Sequence, residues 1–326
     1  MTDGPTEVDR AGAGASGAGP ATRSLRSRAW WRVHSFVDDH PVLVFLGPAL
    51  LVVLVVFVYP VVWMVRESLF ATMPGLDRQF DPLFNYERML ASASVRRYAE
   101  QTLFYSVGSL ALSLGGGTVL ALAVNRVRNR WLKAAYTTLL LFAWALPLAV
   151  VALTWKWVLV ARPYGLLNRL LLDLGLVDAP LALLAEADTA LWAVTFVDGW
   201  LRAPFAMIVV LAGLQSIPGE LYDAARVDGA TVFQRFRHVT LPYLRPYLAI
   251  VVLINWMFAF RAFSIVYPMT EGGPGTATTT LAVEVYRRGM VDLDFGYGAA
   301  LSVLLVAVSL VVAAVYVRVV LRRIEA

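Results

Sequence analysis

PGELYDAARVDGATVFQRFRHVTLP, residues 218–242, is a polar, amphipathic segment set between two long apolar runs, at about 189–213 and 246–268. Flanking runs of that length are long enough to cross a bilayer, so the segment between them has to lie in water at the membrane surface. Working outward from it, the chain reads as an all-α polytopic membrane protein.

Composition agrees. Hydrophobic residues make up 59% of the 326 and charged residues only 16%, and the mean hydropathy is +0.66; an ordinary soluble domain is far more polar. At roughly 20 apolar residues per spanning helix, six runs qualify: about 42–65, 102–124, 132–160, 189–213, 246–268 and 297–320. Each lacks the period-2 alternation of a barrel strand. The third is longer than a span needs, and Pro147 predicts a kink or a shift to a re-entrant segment there.

Arginines orient the spans. With a cytoplasmic N-terminus, the inner segments hold Arg10, Arg23, Arg26, Arg28 and Arg32, then Arg126, Arg128, Arg130 and Lys133, then Arg226, Arg235, Arg237 and Arg245, and finally Arg318, Arg322 and Arg323. Outer loops hold half as many basic residues, beside acids such as Asp81, Asp173, Asp178 and Asp292. The positive-inside rule then places both termini in the cytoplasm of a multi-pass cell-membrane protein. The net charge of +5 is explained by topology and calls for no nucleic acid.

Residues 1–40 form a separate region. Residues 1–28 are rich in Gly, Ala, Ser, Thr and Pro and read as a disordered tail. Trp30, Trp31, Val33 and Phe36 beside Arg32 suit a short interfacial helix. Residues 41–324 then form the transmembrane domain. Cysteine is absent, His34, His40 and His238 are scattered, and neither a nucleophile elbow nor a Gly-Lys-Ser/Thr phosphate loop occurs. No metal site or catalytic residue is expected. Gly115-Gly116-Gly117 lies inside an apolar run and reads as close helix packing.

Several motifs now line up. Glu220-Leu-Tyr-Asp-Ala-Ala is followed by Asp228-Gly229-Ala230 and Thr240-Leu241-Pro242. Tyr164-Gly-Leu-Leu-Asn168 follows the third run, Thr270-Glu-Gly-Gly-Pro274 precedes Thr278 to Thr280, and Gly296-Tyr-Gly-Ala-Ala-Leu-Ser302 opens the sixth. In this order the chain resembles permease subunits of the carbohydrate-uptake class of ABC importers, the group that carries maltose, other sugars and glycerol 3-phosphate, over roughly residues 40–320. The resemblance implies six transmembrane helices in the type I permease fold. Residues at about 217–243 would be the short cytoplasmic helix pair on which a separate ATPase acts.

On that resemblance Glu220, Asp223, Ala224, Ala225, Asp228 and Gly229 couple to the ATPase. Asp223 stands where the family usually has Glu; it keeps the charge and loses one methylene of reach. Gly229 is the expected bend, since glycine takes positive φ without steric cost. In the fourth run Asp198, Leu201, Arg202 and Phe205 share one helical face, and in the fifth Asn255, Phe258 and Ala259 repeat the spacing with Arg261 alongside. Two readings stand. In sugar-binding relatives these faces line the central cavity, where an amide, a carboxylate and aromatic rings suit a sugar. Otherwise Asp198 and Arg202 neutralise each other as an i,i+4 pair and Asn255 bonds between helices.

The resemblance further implies a second, homologous permease, two copies of a cytoplasmic ATPase that bind the ATP and Mg, and an extracytoplasmic binding protein that delivers the sugar. No cofactor is expected on this chain, nor is it expected to be an enzyme. Glycerol 3-phosphate or another small polar solute is the alternative cargo. An ion-coupled secondary transporter is the rival from another class; it needs mid-membrane ion sites, yet Asp198 is the only acid within a run.

Overall fold

The computed structural model describes residues 41–72 and 78–318. The expectations for the tail, for the interfacial helix at Trp30 to Asp39, and for Arg322 and Arg323 fall outside the described residues. The chain divides between Val61 and Val62 into two compact units. Helix α1 (Val44–Ser68) supplies the described part of the first unit and reaches into the second. It carries Pro48 and a π-turn at Leu54–Val58, and none of its most apolar 18-residue window is buried.

In the second unit a two-residue hairpin, β1 (Phe70–Ala71) with β2 (Gln79–Phe80), comes first. The all-helical reading did not anticipate it. Asn85 explains it: from the short helix α2 (Phe84–Ala91) its Nδ2 donates to the carbonyls of Ser68 and Phe70, at 3.0 and 2.8 Å. Helix α3 (Ala93–Asn125) begins at Ser92, whose side chain accepts from the backbone N–H of Val95. Its 33 residues span about 50 Å, more than the ~30 Å apolar slab requires.

The third apolar run is broken, as Pro147 implied. Helices α4 (Arg130–Ala145) and α5 (Leu148–Val158) meet at 94°. Leu146 has ψ 144° and Pro147 ψ 130°; a residue before proline is pushed out of the helical region, and here the chain turns a corner. After the short α6 (Leu166–Asp173) comes α7 (Ala187–Gln215). Of its most apolar window 72% is buried, against 28% in α3, 33% in the fifth span and 22% in the sixth. Helix α7 is therefore the centre of the unit.

Small residues let α3 reach it. A Cβ on Gly117 would sit 2.5 Å from the Cβ of Ala206 and 2.7 Å from the carbonyl of Ala203, and one on Gly108 would lie 2.8 Å from Thr195. Of the three consecutive glycines, Gly117 makes the tight approach, while Gly115 faces open space.

Helix α8 (Gly219–Val227) precedes α9 (Val232–Phe260), which passes through a π-turn at Phe236–Thr240. This corrects the fifth span. Its helix ends at Phe260, not near 268, because Ala262 N–H turns back to the carbonyl of Ala259. The remaining apolar residues form a separate short helix, α10 (Val266–Thr270), whose Val266 and Met269 pack with Val197 and Leu201 of α7. The unit continues with α11 (Leu281–Tyr286), which runs on into a π-turn at Arg287–Val291, and then α12 (Phe295–Tyr316).

Candidate functional site

One constellation lies inside the helix bundle. Asp198 and Arg202 on α7 are one turn apart, and Arg202 Nε donates to Asp198 Oδ2 at 2.8 Å. Ser109 of α3 donates to the same oxygen. Asp198 is fully buried, and Arg202 is only 7% exposed, so each charge needs the other. Asn255 of α9, 1% exposed, donates from Nδ2 to Ser113 Oγ at 3.0 Å. Ser109 and Ser113 lie one turn apart on α3, which thereby receives a polar contact from α7 and another from α9. Leu201 and Ala259 pack in the apolar core beside this layer.

Arg202 and Phe258 also face outward from the layer. They line a cleft of about 510 Å3 at the α4/α5 corner, together with Trp144, Pro147, Arg261 and Phe263. The Arg202 guanidinium lies 5.3 Å from the centre of the Phe258 ring, a distance at which the ring face attracts a cation. Phe205 stacks on Trp144 at 5.6 Å. Arg261 donates to the carbonyl of Met257 at 3.2 Å. The seven residues singled out on α7 and α9 thus divide: Arg202 and Phe258 face the cleft, Phe205 stacks on its Trp144 wall, and Asp198, Leu201, Asn255 and Ala259 stand behind. Trp144, Ser109 and Ser113 were not singled out by the sequence. Serine in an apolar run carries no periodic signal, and its partners are about 90 and 140 residues away.

The second constellation is the polar segment. Glu220, Asp223, Ala224 and Ala225 lie on α8, and Asp228 is its C-terminal cap. Asp223 accepts from Arg226 at 2.6 Å, and both side chains are more than 60% exposed. Gly229 has φ +74°. Its N–H reaches the carbonyl of Arg226 and that of Ala230 reaches Ala225, a glycine-terminated helix end. Thr231 and Gln234 then cap α9 reciprocally, at 2.7 and 3.3 Å.

The segment is held against the bundle on one side and open on the other. Tyr222 OH and Thr240 Oγ1 are 2.9 Å apart, pinning α8 to α9, while Leu221, Tyr222 and Val239 pack against the core at the near ends of α3 and α7. The opposite side exposes Val227 (88%), Val232 (66%) and Phe233 (69%). These are the exposed large apolar side chains of the otherwise polar segment.

At the far end of the bundle the loops are stapled. Asn168 donates to the carbonyls of Val160 and Leu181 and accepts from Leu181 N–H at 2.7 Å. In the Thr270–Pro274 loop, Thr278 bonds Thr270 Oγ1 and the carbonyl of Gly273, and Thr279 bonds that of Gly272. Gly272 has φ +90°, and a Cβ there would lie 2.7 Å from Thr279 Oγ1, so only glycine suits the turn. Arg288 binds Glu284 at 2.7 Å and Asp292 at 3.1 Å. Burial works against its charge, yet the bond to Glu284 and the two carboxylates raise its pKa above the ordinary arginine value. Among the described residues no group of three or more His, Asp or Glu is placed to hold a metal ion.

Comparison with known proteins fits this geometry. The trehalose/maltose transport system permease protein MalF of Thermococcus litoralis is 36% identical over 277 residues, covering 83% of this chain and 90% of the relative. The sulfoquinovosyl glycerol transport system permease protein SmoG of Agrobacterium fabrum is 33% identical over 293 residues, covering 89% and 94%. A crystal structure of a bacterial ABC transporter involved in the import of the acidic polysaccharide alginate superposes with a TM-score of 0.75 at 22% identity, covering 89% of this chain and 99% of that one. The architecture is accordingly the type I permease fold of ABC importers, with six spans when the bent α4–α5 pair counts as one. Residues 113–325 match the family model, and the chain belongs to the binding-protein-dependent transport system inner membrane components.

Proposed function

We propose that this chain is one permease subunit of an ATP-driven importer for a sugar. The observation that carries this is the α8–Gly229–α9 segment: capped at both helices, pinned by Tyr222 to Thr240, and apolar on its open side. A separate ATPase seats Val227, Val232 and Phe233, and the Asp223 carboxylate meets a basic group beside them. Because α9 continues from this segment into the fifth span, movement at the segment is transmitted to Asn255 and Phe258. Two ATPase copies hold the ATP and Mg, this chain hydrolyses nothing, and a second permease completes the path. The segment lies in the cytoplasm and the stapled loops face outward, where a binding protein docks. ATP binding and hydrolysis bias two packings, outward- and inward-open.

The solute path runs along the cleft bordered by Arg202, Phe258, Trp144 and Phe205, with Asp198, Leu201, Asn255 and Ala259 holding that wall from behind. Flat rings and a few polar groups suit a sugar, and the relatives named for trehalose/maltose and sulfoquinovosyl glycerol support that class. One observation favours a second reading. Arg202 and Arg261 both line the cleft and no carboxylate does, which suits an anionic solute such as glycerol 3-phosphate.

Reconstitution tests both. The subunit with its partner permease, ATPase and binding protein in vesicles is expected to take up maltose or trehalose only with ATP inside the coupled system. Uptake driven by an ion gradient without ATP overturns the proposal. Arg261→Ala is expected to leave sugar uptake near normal; a selective loss of glycerol 3-phosphate uptake in that variant establishes the second reading.

A further inference from the structure

Away from the polar segment, at the other ends of α3 and α7, two neighbouring cavities share Phe104 and Trp192 in their walls and form the two arms of a cleft. The smaller, about 220 Å3, is lined by Arg97, Gln101 and Asp188 with Phe104 and Trp192. The larger, about 1170 Å3, starts from the same Phe104 and Trp192 and runs on past Val107, Ala111, Leu112 and Phe196. Phe104 and Trp192 meet edge to face at 4.5 Å and mark the border between the polar and apolar arms. Neither cavity includes a residue of the solute cleft or of the polar segment.

The dimensions fit a membrane leaflet. From Phe104 to Leu112 the helix rises about 12 Å, inside the ~15 Å that half of a hydrocarbon core provides. From Arg97 to Phe104 it rises about 10 Å more, into the headgroup region, where an aromatic border such as Phe104 and Trp192 is at home. The polar arm presents one cation and one anion. Among the described residues, neither Arg97 nor Asp188 forms an ion pair. Gln101 is held in place by its own bonds to the carbonyls of Thr276 and Ala277, both 3.0 Å, so this wall does not move aside.

An occupant therefore needs a negative group for Arg97, a cationic N–H donor for Asp188, and an apolar chain. We infer that the cleft is a binding site for a phospholipid with a primary-amine headgroup. Its phosphate lies on Arg97, its ammonium on Asp188, and one acyl chain along α3 from Phe104 to Leu112. A charge-assisted hydrogen bond to a carboxylate requires N–H. Phosphatidylethanolamine supplies it, phosphatidylcholine has methyl groups there, and phosphatidylglycerol has no cation.

The test uses the transporter as isolated from membranes, with its accompanying subunits, equilibrated in vesicles of phosphatidylethanolamine, phosphatidylcholine and phosphatidylglycerol in equal parts. After extraction in mild detergent, the lipids that remain bound are quantified. Ethanolamine lipid is expected to be retained about fivefold over choline lipid, the ratio that one charge contact of about 1 kcal/mol gives. Asp188→Asn is expected to abolish that preference without lowering total retention. Arg97→Gln is expected to lower retention of all three, and Val107→Trp to empty the apolar arm; monodisperse elution shows that each variant is folded. Retention in the ratio of the vesicle mixture overturns the proposal. So does an unchanged preference in Asp188→Asn, or a photo-cross-linker at Val107 that captures the second permease instead of lipid, since protein then covers the groove.

Discussion

The two polar regions of this membrane subunit are built on opposite rules. Between α3, α7 and α9 the polar groups are buried and bonded across the helices: Asp198 accepts from Arg202 and Ser109 on one oxygen, its second oxygen being buried without a hydrogen-bond partner, and Asn255 donates to Ser113. In the polar segment the charges are exposed, and the notable feature is the apolar surface left open at Val227, Val232 and Phe233. The first region spends its polarity on holding helices together, because a buried polar group without a partner is costly. The second is held by helix caps and leaves its apolar surface open, the surface proposed above for the ATPase. Damage to the first should appear as lost protein, and damage to the second as lost work by intact protein.

The largest expected effect tests the buried side. Arg202→Ala leaves Asp198 charged and buried with only Ser109 to satisfy it, a cost on the order of 3 kcal/mol or more. Folded subunit recovered from membranes is expected to fall severalfold. Normal yield with altered uptake would show that Arg202 serves the solute and not the packing, and the contrast would fail at its strongest point. Next comes Gly117→Val, which drives a branched side chain into Ala206 and the backbone at Ala203. Overpacking of this kind costs about 1–3 kcal/mol, and a lowered melting temperature of the purified subunit is the readout. An unchanged melting temperature would mean that α3 and α7 sit farther apart in the assembled transporter.

How much of this contrast was legible beforehand depends on distance along the chain. The Asp198–Arg202 pair is one helical turn, and the turn at Gly229 is a local matter of φ; short-range chemistry of this kind can be read from spacing. Six spans also follow from hydropathy, but hydropathy measures burial and not helical continuity. It therefore ran the fifth span past Phe260, where the chain leaves the helix yet stays buried through Ile265, Val266 and Met269. It likewise missed that α9 begins at Val232, because the first turns of that helix, with Gln234, Arg235, Arg237 and His238, are polar. The serines of α3 and the stacking of Trp144 on Phe205 are contacts across the fold, and nothing in a single sequence pairs them.

A smaller effect is expected at Asn255. Asn255→Leu removes one interhelical hydrogen bond, worth about 0.6–1 kcal/mol in a membrane, and leaves Ser113 free to bond the backbone of its own helix, where it already reaches the carbonyl of Leu110. Yield should be nearly normal. Since Asn255 stands behind the Phe258 wall, uptake at limiting solute is expected to drop while ATPase binding is unchanged. Full uptake would remove α9 from the solute path.

The smallest effect on the folded protein, and the sharpest on its work, is expected from Asp223→Lys. Asp223 and Arg226 are both largely exposed, and such a surface pair is worth only a few tenths of a kcal/mol. Reversing one charge should leave insertion, yield and melting temperature as they were. If Asp223 meets a basic group of the ATPase, the same change places like charges across an interface, and both ATPase retention and uptake should be lost. The swap Asp223→Lys with Arg226→Glu separates the two roles that the carboxylate plays. It restores an ion pair within α8 but not a carboxylate at position 223. Uptake that stays lost in the double variant means the carboxylate is required at that point by the partner. Uptake that returns means α8 needed only its own internal pair, and Asp223 would then belong with the structural residues of the bundle and not with the surface built for another chain.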